Sequence, residues 1–211
     1  MAELIEDIRP DDLRRGLAEV RDHAGDGVQV LVAGKYVPVD AMGALAEAGV
    51  ELVGENRLQD LQAKRERWGD AFIWDFIGNL QSRKVRDVLP LVRLIHSVCS
   101  KSALEQLGRH ADPGHEVLIQ VNVAGEEGRG GVEVADLEGF VRRCPVTVVG
   151  LMSMPPFAED PESSRPHFAR LAELAGGLGL RELSMGTSQD WLVAVDEGAT
   201  IVRLGSALLR R

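Results

Sequence analysis

Eight short and almost continuously apolar runs are the feature that most restricts how this sequence can fold. A segment with helical spacing follows nearly every run. Strands that are apolar throughout, rather than alternating, are typical of a parallel sheet covered by helices. The runs are residues 28–34, 51–56, 72–78, 92–98, 116–124, 146–154, 181–186 and 200–206. This repeated strand-and-helix pattern predicts an α/β fold, a (β/α)8 TIM-type barrel, with a doubly wound open sheet as the less favoured alternative.

Helical patterns occupy the intervals between the predicted strands. They cover residues 40–49, 57–68, 82–92, 101–111, 133–144, 164–179 and 188–198. Residues 1–24 predict an extra N-terminal helical segment packed on the barrel, interrupted or restarted at Pro10. Because no linker rich in Pro and Ser divides the chain, we expect a single domain over residues 1–211.

Composition and charge exclude several classes of function. The net charge of −9 disfavours a general nucleic-acid surface, which needs a basic face. No apolar run reaches the length of about 18 residues that a membrane span requires. The N-terminus has no leader pattern, so we expect a cytoplasmic protein without a membrane partner. Cys99 and Cys144 lack metal-binding spacing, so we expect free, buried thiols and no metal site.

Polar side chains gather where the predicted strands end. The carboxyl ends of barrel strands surround the usual active site of this fold. These positions are Lys35, Glu55, Asn56, Gly78, Asn79, Ser97, Asn122, Ser153, residues 184–188 and residues 203–206. Such a ring predicts the lining of a pocket.

Lys35 is one of only four lysines, against twenty arginines, and it directly follows the first apolar run. A lone lysine at a strand end commonly extends its amine into solvent and covers apolar neighbours with its stem. Burial, however, favours the neutral amine, which is the species that condenses with aldehydes. Both interpretations remain open from this residue alone.

Arg203 and the residues around it suggest a phosphate site beside that lysine. A guanidinium has only donors, so a ring nitrogen facing Arg203 must offer a lone pair, although a structural ion pair is an alternative role. Gly205 and Ser206 follow at once, where backbone N–H groups can approach an anion. Thr187 and Ser188 are expected to open the preceding helix. The ends of the last two strands therefore predict a phosphate cup.

Seven segments of the chain together resemble the pyridoxal phosphate homeostasis proteins, relatives of the N-terminal barrel of alanine racemase. The segments are LVAGKYVPVDAM, GVELVGENRLQD, FIGNLQSRKV, IHSVCS, VLIQVNVAGEEGRGGV, VVGLMSMPP and LSMGTSQDWLVAVDEGATIVRLGSAL. The resemblance implies the type III fold of proteins that bind pyridoxal 5'-phosphate (PLP). It implies that Lys35 carries PLP as an internal aldimine and that Arg203 faces the pyridine nitrogen. It also implies that Ser188, Gly205 and Ser206 hold the phosphate, and that Thr187 and Asn56 lie near the cofactor.

Several positions depart from the family pattern, including Thr187 where methionine is frequent and Ser206 where threonine is frequent. Gly34 stands where serine is common, Asp75 where histidine is common, and Cys99 where aspartate is common. None of these changes removes the lysine, the arginine or the glycine-serine turn. Asp75 leaves any role of a histidine on the third strand in doubt.

Three functions fit these residues. A racemase needs two bases on opposite faces of its substrate, and the single tyrosine, Tyr36, is expected to point away from the pocket by strand alternation. A Schiff-base aldolase would not need Arg203. We therefore favour a monomeric PLP carrier that buffers the cofactor and delivers it transiently to PLP-dependent apo-enzymes, with no efficient catalysis. A racemase of low activity and an aldolase are the alternatives.

Overall fold

Eight parallel strands close into a barrel in the computed structural model, which describes residues 4–210. Pairing between the first and last strands completes the ring. The barrel strands are β1 (Gln29–Ala33), β2 (Leu52–Glu55), β3 (Ile73–Phe76), β4 (Leu94–Val98), β5 (Glu116–Asn122), β7 (Thr147–Met152), β8 (Glu182–Thr187) and β9 (Ile201–Leu204), while β6 (Val132–Glu133) pairs with the end of β5. The predicted (β/α)8 barrel is confirmed, and β6 is an addition that the sequence did not predict.

Helices connect the strands and cover the outside of the barrel. They are α1 (Pro10–Ala24), α2 (Met42–Glu47), α3 (Leu58–Trp68), α4 (Val85–Val88), α5 (Lys101–His110), α6 (Leu137–Arg142), α7 (Arg165–Gly177), α8 (Trp191–Asp196) and α9 (Ser206–Leu209). None of the helices within residues 4–210 is long and apolar enough to cross a membrane.

The N-terminal helix begins later than the sequence pattern predicted. Residues 4–9 have no regular secondary structure, and residues 1–3 of the predicted segment lie outside the described residues. Pro10 explains the start, because proline restricts the preceding residue to extended geometry and fits the first helical position. Arg9 is accordingly extended, with φ −88° and ψ 116°. The buried face of α1, which includes Leu13, Leu17 and Val20, packs on the barrel.

Several predicted helices are shorter than expected, most of all the one over residues 82–92. The pattern over residues 82–92 forms α4 between two 3-10 turns, Ser82–Lys84 and Leu89–Leu91. Pro90 removes a backbone donor there and cannot sit inside an α-helix without a clash. The expectation that Thr187 and Ser188 open a helix is wrong, because α8 begins three residues after Ser188.

The barrel has an apolar layer outside its strands and a second apolar cluster inside them. The outer layer lies between the strands and the helices. The inner cluster takes one buried side chain from each of six strands, and it consists of Leu31, Leu52, Leu94, Leu118, Met152 and Ile201. Four polar side chains from β3, β4, β8 and β9 are also buried: Asp75, His96, Ser184 and Arg203. The barrel is therefore not wholly apolar, although its strands read as apolar runs.

Gly150 shows how closely two of the barrel strands approach. A Cβ atom at this position would lie 1.9 Å from the backbone oxygen of Glu182 on the neighbouring strand. Gly176, on the exposed side of α7, has no atom within 4 Å of the same added carbon. The same substitution, glycine to alanine, can therefore be compared in crowded surroundings at Gly150 and in open surroundings at Gly176.

We predict opposite effects for alanine at these two glycines. Gly150→Ala should lower the free energy of unfolding by about 1–3 kcal/mol, because backbone atoms must move to admit the methyl group. Gly176→Ala should raise it by up to about 1 kcal/mol, since glycine is a poor helix former. Urea denaturation monitored by circular dichroism measures both, and equal effects would contradict the close approach of β7 and β8.

Candidate functional site: a cavity at the carboxyl ends of the strands

A cavity of about 610 Å³ opens at the carboxyl ends of β1, β2, β8 and β9. This volume lies within the range of small-molecule sites in proteins. All seven residues predicted to hold a cofactor contribute to its wall: Lys35, Asn56, Thr187, Ser188, Arg203, Gly205 and Ser206. The fold therefore brings together residues that are up to 171 positions apart in sequence. Met154 and Phe157, which the sequence did not single out, form part of the rim.

Lys35 lies in a 3-10 turn rather than at the end of an extended strand. The strand β1 ends at Ala33, and the turn occupies Gly34–Tyr36. The side chain of Lys35 is half-buried, with its Nζ 4.8 Å from the centroid of the Tyr36 ring. The expectation that Tyr36 points away from the pocket is wrong, because the turn breaks the alternation of the strand. Tyr36 instead contributes to the cavity wall.

A buried ion pair fixes the turn that carries Lys35. Lys64 on α3 is 4% exposed, and its Nζ donates hydrogen bonds to the backbone oxygen of Gly34, at 2.7 Å, and to the carboxylate of Glu55. Glu55 is fully buried, and burial raises the pKa of its carboxyl group against the opposing effect of Lys64. Lys64 thus neutralises Glu55 and anchors the turn, a role that nothing in the helical pattern of α3 suggested.

The same ion pair explains why residue 34 is glycine. A Cβ atom on Gly34 would lie 2.2 Å from Oε1 of Glu55 and 3.0 Å from Cγ1 of Val53. The carboxylate cannot move aside freely, because Lys64 holds the same oxygen. In this chain the space of a residue-34 side chain is therefore taken by Glu55, and a larger residue there would require the carboxylate to move.

Two backbone N–H groups converge on the hydroxyl of Ser188. The N–H of Gly205 donates to Ser188 Oγ at 3.1 Å, and the N–H of Ala207 donates to it at 3.2 Å. The Ser188 hydroxyl oxygen thus acts as an acceptor at the turn between β9 and α9. Gly205 is required by the neighbouring ring, because a Cβ atom there would lie 2.5 Å from Cε2 of Tyr36. This geometry fits the oxygens of a phosphate group.

Thr187 and Asn56 lie on the wall but present different atoms. The hydroxyl of Thr187 donates to Oδ1 of Asp190 at 3.0 Å, and its backbone N–H donates to the same oxygen at 2.7 Å. Thr187 therefore offers a ligand its methyl group and oxygen lone pairs rather than its hydroxyl hydrogen. Oδ1 of Asn56 is buried and has no hydrogen-bond partner among residues 4–210.

Arg203 is a buried cation in the cavity wall, with 6% of its surface exposed. Its Nη1 donates to Ser184 Oγ at 2.7 Å, and its Nη2 donates to the backbone oxygen of Ser153 at 2.9 Å. Burial lowers the pKa of Arg203 to about 10, with the charge of Asp190 acting in the opposite direction, so the guanidinium stays protonated at neutral pH. Within residues 4–210 it forms no ion pair, so the alternative structural role is not observed.

The predicted polar ring is only partly a pocket lining. Glu55 is engaged by Lys64, and the hydroxyl of Ser97 donates to the backbone oxygen of Gly78. The amide of Asn122 donates to Glu133 Oε1 at 2.8 Å, where it supports the loop after β5. These buried side chains bond to other protein groups and hold the strand ends in place, although Oε2 of Glu55 has no hydrogen-bond partner among residues 4–210. A polar residue at a strand end therefore does not by itself identify a ligand contact.

The cysteines are free, as predicted, but half-buried rather than buried. Burial raises the pKa of the thiols of Cys99 and Cys144. Neither residue contributes to the wall of the cavity. Among the described residues, no cluster of three or more His, Cys, Asp or Glu side chains could hold a metal ion.

Comparison with protein families and curated proteins gives one consistent match. The family described as "Alanine racemase, N-terminal domain" matches residues 8–210. A protein of Aquifex aeolicus named pyridoxal phosphate homeostasis protein is 40% identical over 204 residues, which cover 89% of this chain and 90% of that relative.

Solved structures show the same barrel. PipY of Synechococcus elongatus, solved without PLP, is 31% identical and superposes with a TM-score of 0.86 over 93% of this chain and 99% of PipY. The same protein with PLP bound gives a TM-score of 0.81 over the same shares. Alanine racemase from Corynebacterium glutamicum matches with a TM-score of 0.76 at 17% identity, over 99% of this chain and 63% of the racemase, which shows the fold alone.

We predict that Lys64→Met lowers the free energy of unfolding by about 3–5 kcal/mol, because it leaves the carboxylate of Glu55 buried without a partner. The matched control is Lys101→Met, at an exposed lysine of α5, which should change that free energy by less than about 0.5 kcal/mol. The double variant Glu55→Met, Lys64→Met should recover most of the loss, since both charges are then absent. If chemical denaturation shows that the double variant is no more stable than Lys64→Met, the result would argue against the ion pair.

Proposed function

The chain belongs to the pyridoxal phosphate homeostasis protein family, which shares its barrel with the N-terminal domain of alanine racemase, and from this premise we propose that it binds PLP reversibly at the cavity. PipY, 31% identical to this chain, has been solved with PLP bound. The proposal is an intracellular carrier that buffers PLP and delivers it to apo-enzymes.

The observation that carries the proposal is the combination of three groups in one cavity. A primary amine (Lys35), a fixed cation (Arg203) and two N–H groups that converge on Ser188 Oγ share the wall. PLP has an aldehyde, a ring nitrogen and a phosphate, and each of these has a chemically matching partner here. Chance juxtaposition of three matching groups is less plausible than that of any one.

Lys35 is the residue that we propose takes the cofactor. When bound, PLP supplies an aldehyde that condenses reversibly with a primary amine. Lys64, which lines a neighbouring pocket together with Lys35, is committed to Glu55 and to the oxygen of Gly34. The two contacts of Lys64 hold the backbone turn from which Lys35 extends into the cavity. Lys35 is therefore the amine that the fold leaves available to a ligand.

Ser188, Gly205 and Ser206 are the residues that we propose hold the phosphate. The N–H groups of Gly205 and Ala207 already point at one oxygen. Ser188 can turn its hydroxyl to donate to a phosphate oxygen, while the exposed hydroxyl of Ser206 lies at the open side of the turn. Backbone donors at such a turn favour an anion without adding a side-chain charge.

Arg203 fits a ring nitrogen that acts as an acceptor. All of its polar hydrogens are donors, and it remains charged at neutral pH with a pKa of about 10. A nitrogen facing it is therefore held without a proton, which makes the ring a weaker electron sink. This arrangement favours holding the cofactor over chemistry that depends on a stabilised carbanion.

The position of Tyr36 in the cavity wall does not support the alternative function as a racemase. Tyr36 contributes to the cavity wall, contrary to the expectation from sequence. Its ring, however, lies 4.8 Å from the Lys35 amine, so both groups approach from the same wall. A two-base racemase needs its bases on opposite faces of the substrate. The remaining ionisable group of the wall, Arg203, cannot act as a base at neutral pH.

The proposal also includes a single PLP-binding domain, a cytoplasmic location and a monomer in solution. Sedimentation or light scattering tests the last of these. The transient partners are enzymes that lack their PLP, because the reversible bond to Lys35 can pass the aldehyde to another amine.

The direct test is borohydride reduction of the protein after incubation with PLP, followed by peptide mass spectrometry. Wild-type protein should be yellow and should yield one reduced adduct, on the peptide that contains Lys35. Lys35→Ala should yield none and keep its circular dichroism spectrum, because the side chain is only half-buried. Loaded wild-type protein should also restore the activity of a PLP-dependent apo-enzyme.

Lys101→Ala provides the matched control for this test. It removes an exposed lysine that does not line the cavity, so the yield of the adduct on the Lys35 peptide should be unchanged. An adduct of equal yield in Lys35→Ala, or an adduct spread over all four lysines, would contradict the proposed binding residue.

A further inference from the structure

A chain of buried hydrogen bonds links Arg203 at the cavity to the opposite end of the barrel. Ser184 Oγ lies 2.7 Å from Nη1 of Arg203 and 2.8 Å from Nδ1 of His96. Nε2 of His96 lies 3.1 Å from Oδ2 of Asp75. Asp75 in turn accepts hydrogen bonds from Arg93, from Nη2 at 2.6 Å and from Nε at 3.1 Å. Four of the five side chains are at least 94% buried, and Arg93 is 38% exposed.

For a neutral His96 ring, the donors and acceptors in this chain allow one consistent assignment. Asp75 faces Arg93, so it is a carboxylate and can only accept, and Nε2 of His96 must carry the hydrogen that joins them. Nδ1 of His96 then has a lone pair and accepts the hydroxyl hydrogen of Ser184. The oxygen of Ser184 keeps lone pairs for the N–H of Arg203. Every contact has one hydrogen and one acceptor.

The distribution of charges explains how Asp75 can affect Arg203 without contacting it. Arg203 is buried and has no carboxylate within ion-pair distance among residues 4–210. Asp190, the carboxylate whose charge affects it, is already held by Ser164 and Thr187. Asp75 is fully buried beside His96, and the hydrogen bonds through His96 and Ser184 are polarised toward Arg203.

We propose that Asp75 is a positioning residue for Arg203: it fixes the Nε2–H tautomer of His96, which orients the hydroxyl of Ser184 to accept from Arg203. Asp75 therefore determines how the guanidinium is presented to the cavity. That last step rests on the proposed function, in which Arg203 faces the PLP ring, whereas the tautomer of His96 does not. The assignment also gives a role to Asp75, where the family commonly has histidine.

The groups around His96 also disfavour its protonated form. The ionised groups that face it are Asp75 on β3, Arg93 just before β4 and Arg203 on β9. Burial lowers the pKa of His96, the two guanidinium charges act in the same direction, and Asp75 opposes them. A neutral ring with its hydrogen on Nε2 is therefore the expected state at neutral pH.

The test is nitrogen-15 NMR of the imidazoles in the full-length, cofactor-free protein. The chain has five histidines, and the signal absent from His96→Gln assigns the buried one. We expect neutral His96 with its hydrogen on Nε2 at pH 7 and above. A hydrogen on Nδ1, or an imidazolium at pH 7, overturns the inference, and this result needs no variant of Asp75.

Two further variants separate positioning from simple ion-pair loss. Asp75→Asn and Arg93→Gln both remove the ion pair between Asp75 and Arg93, but only the first removes the carboxylate that accepts from His96. Asp75→Asn should therefore populate both tautomers of His96, while Arg93→Gln should keep the wild-type tautomer. Equal spectra for the two variants, or an unchanged tautomer in Asp75→Asn, overturn the inference.

The PLP-loaded proteins complete the test. Asp75→Asn should weaken PLP binding by about five- to tenfold and shift the absorption maximum, since Arg203 loses an oriented acceptor, whereas Arg93→Gln should bind within about twofold of wild type. Equal affinities and spectra for all three proteins contradict the link from Asp75 to Arg203. Failure of the wild type to bind PLP refutes the proposed function instead, and it leaves the tautomer result standing.

Discussion

Pairing between the first and last strands is the constraint on which the site depends. In the register of β1 with β9, Leu31 lies opposite Arg203. The turn that follows β1 carries Lys35, and the turn that follows β9 carries Gly205, so closing the barrel brings the amine and the backbone donors to one mouth. Tyr36 lies between them, with its ring against Gly205 and beside the Lys35 amine. An open sheet with these strands at its two edges could not form this cavity.

Buried charge is the second organising element of the molecule. Glu55 and Lys64 form a closed pair outside the cavity, so their charges cancel and their hydrogen bonds fix a backbone turn. Within residues 4–210 Arg203 has no such partner, and its guanidinium donates instead to the hydroxyl of Ser184 and the backbone oxygen of Ser153. One buried cation is thus used for structure and the other remains available to a ligand. The difference follows from their neighbours and could not be deduced from residue type.

The sequence predicted the strands and the site better than it predicted the turns. Apolar runs identify buried strands because every position of a covered parallel strand avoids water. The seven cavity residues follow from strand order once the barrel is assumed. Tyr36 was misplaced because alternation was extended into a 3-10 turn, and Lys64 was missed because a buried lysine on an amphipathic helix looks like a solvated one. Such contacts depend on tertiary packing, which local periodicity does not encode.

The central claim is that Lys35 and the turn around Gly205 hold the two ends of one PLP molecule. A crystal structure of the protein grown with PLP tests this claim most directly. We expect continuous electron density from Lys35 Nζ into the cofactor, with the phosphate on the N–H groups of Gly205 and Ala207. Density for PLP at another place, with the Lys35 amine turned to bulk solvent, would contradict the account.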